Sequence, residues 1–147
     1  MIEEALNAAG NITIYNYHVD KRRLDFQLVH RFPFLFSKID QRKSPIVKLI
    51  ERLDLSIEEK IECIRREFVL WGPCYVIGSH NFPYFGMDLS DVKRVIGAFE
   101  SRSFEVWICH PTFAWCMETR TDSSVALHAS PYNVMTSLIA ARGQDPR

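Results

Sequence analysis

Six residues in the second half of the chain carry side chains able to bind a soft metal or act as a nucleophile: Cys74, His80, Cys109, His110, Cys116 and His128. Tetrahedral zinc takes four such ligands at about 2.0–2.3 Å. Cys109 and Cys116 face each other across an expected hairpin, an arrangement that brings two ligands together. The common spacing signature is missing, because the sequence contains no Cys-x-x-Cys pair. Free cysteine is also among the residues most often buried in ordinary cores. Both cysteines lie in apolar runs beside Trp107, Ile108, Trp115 and Met117. Core packing is the favoured reading, and no metal ligand is assigned.

A Cys–His nucleophilic pair would combine Cys74 or Cys109 with His80 or His128. It needs a thiolate, hence a positive, partly exposed site, and neither cysteine has a lysine or arginine beside it. His110 precedes Pro111 and reads as a turn residue. Glu58 with Glu62, and Asp88 with Asp91, each share a helical face. Two carboxylates divide into acid and base only if burial separates their pKa values. At helix starts they more commonly cap and complement the helix dipole. The six glycines, at 10, 72, 78, 86, 97 and 143, have no phosphate-cradling spacing. His-Glu-x-x-His and Gly-x-Ser-x-Gly are absent. The expectation is a chain with no catalytic residue, no metal and no cofactor.

The elements that would position these residues follow from periodicity. Residues 3–9 suggest a helical turn ended by Gly10. Asn11 to Val19 and Leu24 to His30 alternate as two strands, with Lys21-Arg22-Arg23 as the loop between them. Pro33 within Phe32-Pro33-Phe34-Leu35-Phe36 rules out a central strand and predicts a packed loop or edge segment. Ser44-Pro45 reads as a helix start, with Ile46, Leu49, Ile50 and Leu53 at helical spacing. Ser56-Ile57-Glu58-Glu59 is a capping box. Behind it Ile57, Ile61, Ile64, Phe68 and Trp71 form one stripe, and Gly72-Pro73 stops that helix. Cys74 to Gly78 reads as a short buried strand and 80–86 as a loop. Asp88 or Ser90 caps a third helix over 91–100, with Val92, Val95, Ile96 and Phe99 inward. Phe104–Cys109, Ala114–Thr119 and Val125–Ala129 form a meander, and Ser130-Pro131 starts a last helix to about Ala141. Runs of like elements, without strict alternation, predict one α+β domain over residues 1–147. Its sheet should be mostly antiparallel, with a C-terminal meander and helices packed on one face.

The stretch from Phe68 to Met87 has no charged residue in 20 positions. Gly72, Pro73, Gly78, His80, Asn81, Pro83 and Gly86 interrupt it, so it does not read as a membrane span. Phe82, Tyr84 and Phe85 surround Pro83 in what reads as a surface loop. With Asp88 and Asp91 they form the expected partner-binding patch, since aromatics supply large contact area at low entropy cost. The acidic face of Glu58, Glu59 and Glu62 is the second candidate.

The charges balance, 18 basic against 18 acidic, which argues against direct nucleic-acid binding. The basic run at 21–23 is flanked by Asp20 and Asp25. The N-terminal residues lack the basic start and apolar run of an export signal. The expectation is therefore a cytoplasmic protein with reduced thiols.

The segment Val106-Trp107-Ile108-Cys109-His110-Pro111-Thr112-Phe113-Ala114-Trp115-Cys116-Met117-Glu118 resembles the terminal strand pair of small bacterial immunity proteins, which accompany secreted toxins. The resemblance covers the last third of the chain and carries over no functional residue. It implies a non-enzymatic cytosolic inhibitor whose partner is a cognate toxin, a nuclease being one candidate. The rival reading from the residues is a small Cys/His-dependent enzyme or zinc-binding domain.

Overall fold

The computed structural model describes residues 12–15, 18–78, 84–100 and 105–130, with backbone alone at 18 and 97–100. The elements run β1 (Thr13–Tyr15), α1 (His18–Arg31), β2 (Phe34–Leu35), β3 (Lys38–Ile39), β4 (Ile46–Ile50), α2 (Ile57–Glu67), β5 (Pro73–Gly78) and β6 (Tyr84–Asp88). A 3₁₀ turn (Leu89–Asp91), α3 (Val92–Glu100), β7 (Val106–Cys109), β8 (Trp115–Thr119) and β9 (Val125–Ala129) complete the order. Seven strands form one sheet in the order β1-β6-β5-β7-β8-β9-β4, and β2 pairs with β3 separately. Every neighbouring pair is antiparallel. The α+β class, the antiparallel sheet and the C-terminal meander are as the sequence implies.

The expected turn at 3–9 and the expected helix beyond Pro131 lie outside the described residues, as does the side chain of Phe99. Three other expectations are corrected. Leu24 to His30 is not a strand, and 21–23 is not a loop. All belong to α1, as do His18 and Val19 at the end of the expected first strand, of which only Thr13–Tyr15 is extended among the described residues. Leu24 and Leu28 of α1, and Phe32 just past its end, are buried at a spacing of four. Alternation and helical spacing coincide here, because leucines four apart satisfy both periods. Residues 20–31 are mostly good helix formers, with Asp20 in the first turn and His30 and Arg31 in the last, and the helix wins. The segment after Ser44-Pro45 is not a helix but β4. A five-residue apolar run fits either period, and Ile46, Val47 and Ile50 favour extended backbone. The loop expected at 80–86 gives way at Tyr84 to β6. His80 to Pro83 lie outside the described residues.

The capping box forms as expected. Glu59 N–H donates to Ser56 Oγ at 3.1 Å, and Ser56 N–H donates to Glu59 Oε1 at 3.2 Å. Helix α2 closes earlier than its apolar stripe suggests, leaving Trp71 outside it and half-exposed. The chain reverses through Val69 at φ 52° and Gly72 at φ 92°, and Leu70 N–H returns to the Arg65 carbonyl at 2.9 Å.

The sheet is covered on both faces. Helices α2 and α3 press Ile61, Ile64, Val92, Val95 and Ile96 onto Val76, Phe85, Ile108, Trp115, Met117 and Leu127. This matches the expectation of helices on one face for those two. Helix α1 departs from it, packing Leu24 and Leu28, with Phe32 just past its end, on the opposite face with Ile77, Tyr84, Trp107, Cys109 and Cys116. Two covered faces explain the charge-free stretch of sequence. Strands buried on both sides read as continuous apolar runs, and β5 and β6 occupy such a place. Gly86 permits close approach of β1, because a Cβ there would meet Tyr15 Cε2 and Oη at 3.3 Å. Among the described residues, no helix is long and apolar enough to cross a membrane.

Candidate functional site

The register decides which chemistry-bearing residues meet. Cys109 pairs with Cys116, and Cys116 with His128, so the three form one row across β7, β8 and β9. All three are fully buried on the α1 side. Cys74 points to the other face, among the α2 and α3 contacts, and His80 lies outside the described residues. The Cys74, His80, Cys109 and His128 set is therefore split by the sheet. Among the described residues, no group of three or more His, Cys, Asp or Glu side chains is placed to hold a metal ion. Burial pushes the Cys74 thiol up. It does the same to Cys116, whose sulfur also accepts from Cys109 at 3.3 Å. Such thiols stay protonated near neutral pH and are poor nucleophiles.

The paired carboxylates serve the helices, as caps or as ion pairs along a helix face. Asp88 accepts from Ser90 N–H at 3.0 Å as an N-cap, and Asp91 stands 3.7 Å from Arg94. Glu62 is gripped by Arg65 at 2.8 and 3.0 Å, and that hydrogen bonding holds its carboxyl below the usual range.

The expected partner-binding patch is only partly a surface. Phe82 lies outside the described residues. Phe85 is wholly inside the core, and Tyr84 is buried with its hydroxyl donating to Asp25 on α1 at 2.6 Å. Lys21 Nζ sits 5.0 Å from the Tyr84 ring centre. These two aromatics are corrected from surface anchors to core residues, because the segment is a strand between covered faces rather than a loop. Asp88 is exposed and Asp91 partly so.

A different constellation emerges around Glu118, which sequence reasoning passed over. Its carboxylate is fully buried on β8. Oε2 accepts from Ile39 N–H at 2.8 Å and from Trp107 Nε1 at 2.9 Å, while Arg120 Nε reaches Oε1 at 3.3 Å. His128 Nε2 stands 3.6 Å from Oε1, and its Nδ1 donates to the Ser44 carbonyl at 3.0 Å. Burial alone would raise the Glu118 pKa. The facing His128 imidazole, the Ile39 N–H and the Trp107 indole outweigh it, and the carboxyl is held below its ordinary value. The available signal was a lone acid within the otherwise apolar strand 115–119.

Glu118 thereby ties the β2–β3 hairpin to the sheet. Phe34 packs on Trp107 with ring centres 5.3 Å apart, and Asp40 N–H donates to the Pro33 carbonyl at 2.8 Å. The hairpin tip carries Phe36, which is 95% exposed at φ 60°. A bulky residue in the left-handed region is a genuine outlier. Beside the tip is a cavity of about 240 Å³ lined by Leu35, Lys38, Ile39, Asp40, Gln41, Arg42 and Arg120. Arg42 is braced by Asp40 at 3.2 Å. On the same side of the sheet, α1 shows solvent a second apolar stripe of Val19, Phe26 and Val29, interleaved with exposed Arg22 and Arg23.

Compared with known proteins, the chain matches no family model, no curated protein and no solved structure.

Proposed function

We propose that this chain is a non-enzymatic protein-binding inhibitor of the immunity type, which neutralises a cognate bacterial toxin in the cytoplasm by occluding it. The observation that carries the reading is Phe36. An aromatic that is 95% exposed in left-handed backbone costs roughly 1–2 kcal/mol in the free protein, and a partner's pocket offsets that cost. The anchor stands on a hairpin fixed from beneath by Glu118, so little flexibility is lost on docking. Basic groups Lys38, Arg42 and Arg120 border it, a setting for acidic groups on the partner. That sign is opposite to the acidic patch expected to meet a basic nuclease groove. In this reading the contact at Phe36 lies on an acidic surface of the toxin.

The rival enzyme reading needs a reactive thiol at Cys74 or Cys109. Burial pushes the Cys74 thiol up, and Cys109 is wholly buried on the α1 side with no access to substrate, which weighs against it. The test is titration of the chain and its Phe36→Ala variant against the toxin encoded beside it. Loss of about 2 kcal/mol of binding, the range of an interface hot spot, is expected. Equal affinity of the two proteins removes the hairpin, and no binding by the native chain removes the immunity reading.

A further inference from the structure

Cys109 and Cys116 are both free thiols, and their sulfurs touch at 3.3 Å across β7 and β8. The next pair outward is joined by a ladder bond, His110 N–H to the Trp115 carbonyl at 3.2 Å. In antiparallel sheets bonded and non-bonded pairs alternate, so Cys109 and Cys116 occupy a non-bonded position. Such pairs stand about 4.5 Å apart at Cα, inside the roughly 4.4–6.8 Å that a disulfide spans. Backbone movement is therefore small, and the sulfurs need only turn toward each other. The pair is paved over by α1, since Leu24, Leu28 and Phe32 share its cluster.

We propose that Cys109 and Cys116 form an oxidation site, which a hydroperoxide converts to an intramolecular cross-strand disulfide. One thiolate attacks the peroxide; an S–O bond forms, the O–O bond breaks, and the departing hydroxide leaves as water. The second thiolate then attacks that sulfenic sulfur, forming S–S and breaking S–O as a second water is released. Two thiols and one hydrogen peroxide thus give one disulfide and two waters. Both sulfurs are shut off from solvent, so reaction follows transient lifting of α1 from the sheet. The product welds β7 to β8 at the turn 110–113, where Phe113 sits at φ 58° with its ring stacked on Tyr75.

The experiment uses the full chain carrying Cys63→Ser, which removes the exposed thiol. The reduced, folded protein is treated with hydrogen peroxide, and remaining thiols are alkylated in denaturant before non-reducing peptide mapping. The expected product has lost two hydrogens and contains a single linkage between 109 and 116. Its thermal midpoint lies several degrees above that of the reduced form and returns on adding dithiothreitol. Cys109→Ala and Cys116→Ala variants should each fail to gain that shift. Alkylation of both thiols after peroxide treatment overturns the proposal, as does a linkage mapping elsewhere. The mapping needs no variant at 109 or 116, so it stands even where those alanines unfold the chain.

Discussion

Glu118 shows how a single side chain organises its surroundings. A buried carboxylate is tolerable only when its oxygens are satisfied, and here a main-chain N–H, an indole and a guanidinium supply the donors. Replacing it by glutamine removes the charge that holds Arg120 and weakens three contacts together. Glu118→Gln should lower stability by about 3 kcal/mol, read from urea midpoints at neutral pH. The pH dependence has a definite sign. The folded pKa is depressed, so the folded state binds fewer protons than the unfolded chain, whose glutamate titrates near about 4.3. The stabilisation is complete above that value and lost as pH falls through the folded pKa. Urea midpoints taken from neutral pH down to acid should fall more steeply for the native chain than for Glu118→Gln. Parallel curves would show that other acids dominate. The network was not legible beforehand because its members, Ile39, Trp107, Glu118, Arg120 and His128, come from three strands and a hairpin. No local pattern along the chain brings their side chains face to face.

At the scale of elements, the chain divides by how locally each segment declares itself. Helix α2 was legible because Ser56 and Glu59 satisfy each other's backbone within four residues. Ser56→Ala should cost about 1 kcal/mol in thermal or urea unfolding. The meander β7–β8–β9 was legible because short turns join strands that are adjacent in sequence. Helix α1 and strand β4 were not legible, since their patterns fit two periods and distant partners decide. The first is chosen by packing on Trp107 and Cys116, the second by pairing with β9. Leu28 tests the first choice. Leu28→Ala should destabilise by about 2–5 kcal/mol, and amide exchange should accelerate across residues 18–31 before it does so in β5. The end of α2 offers the opposite sign. Val69 is β-branched at φ 52°, a conformation glycine adopts freely, so Val69→Gly should raise stability by about 0.5–1 kcal/mol. A fall in the unfolding midpoint would mean that the half-exposed valine packs more than its exposure implies.

For the whole molecule, the proposed docking side is the α1 and hairpin face, while α2 and α3 close the other. Phe36→Ala should leave the unfolding midpoint unchanged within about 0.5 kcal/mol, as surface substitutions do, and still weaken partner binding. By contrast, Tyr84→Phe should reduce stability by about 1 kcal/mol through the lost bond to Asp25. A binding defect in that variant would report on how α1 sits rather than on a contact. The candidate site was largely invisible in sequence because exposure was assigned by loop character. A proline-bearing aromatic loop implies surface, yet Tyr84 and Phe85 are core; a Pro33-bearing packed loop implies burial, yet Phe36 stands in solvent. The position of β4 at the edge of the sheet also has a consequence for synthesis. Among the described residues its sole sheet neighbour is β9, in the register Ile50 with Val125. A chain leaving the ribosome must therefore hold Ile46-Val47-Lys48-Leu49-Ile50 unpaired until residues 125–129 have been made. At roughly 5–20 residues per second, that wait lasts some seconds. Throughout it, Lys48 is the only charge in a β-prone run, where it opposes pairing with neighbouring nascent chains.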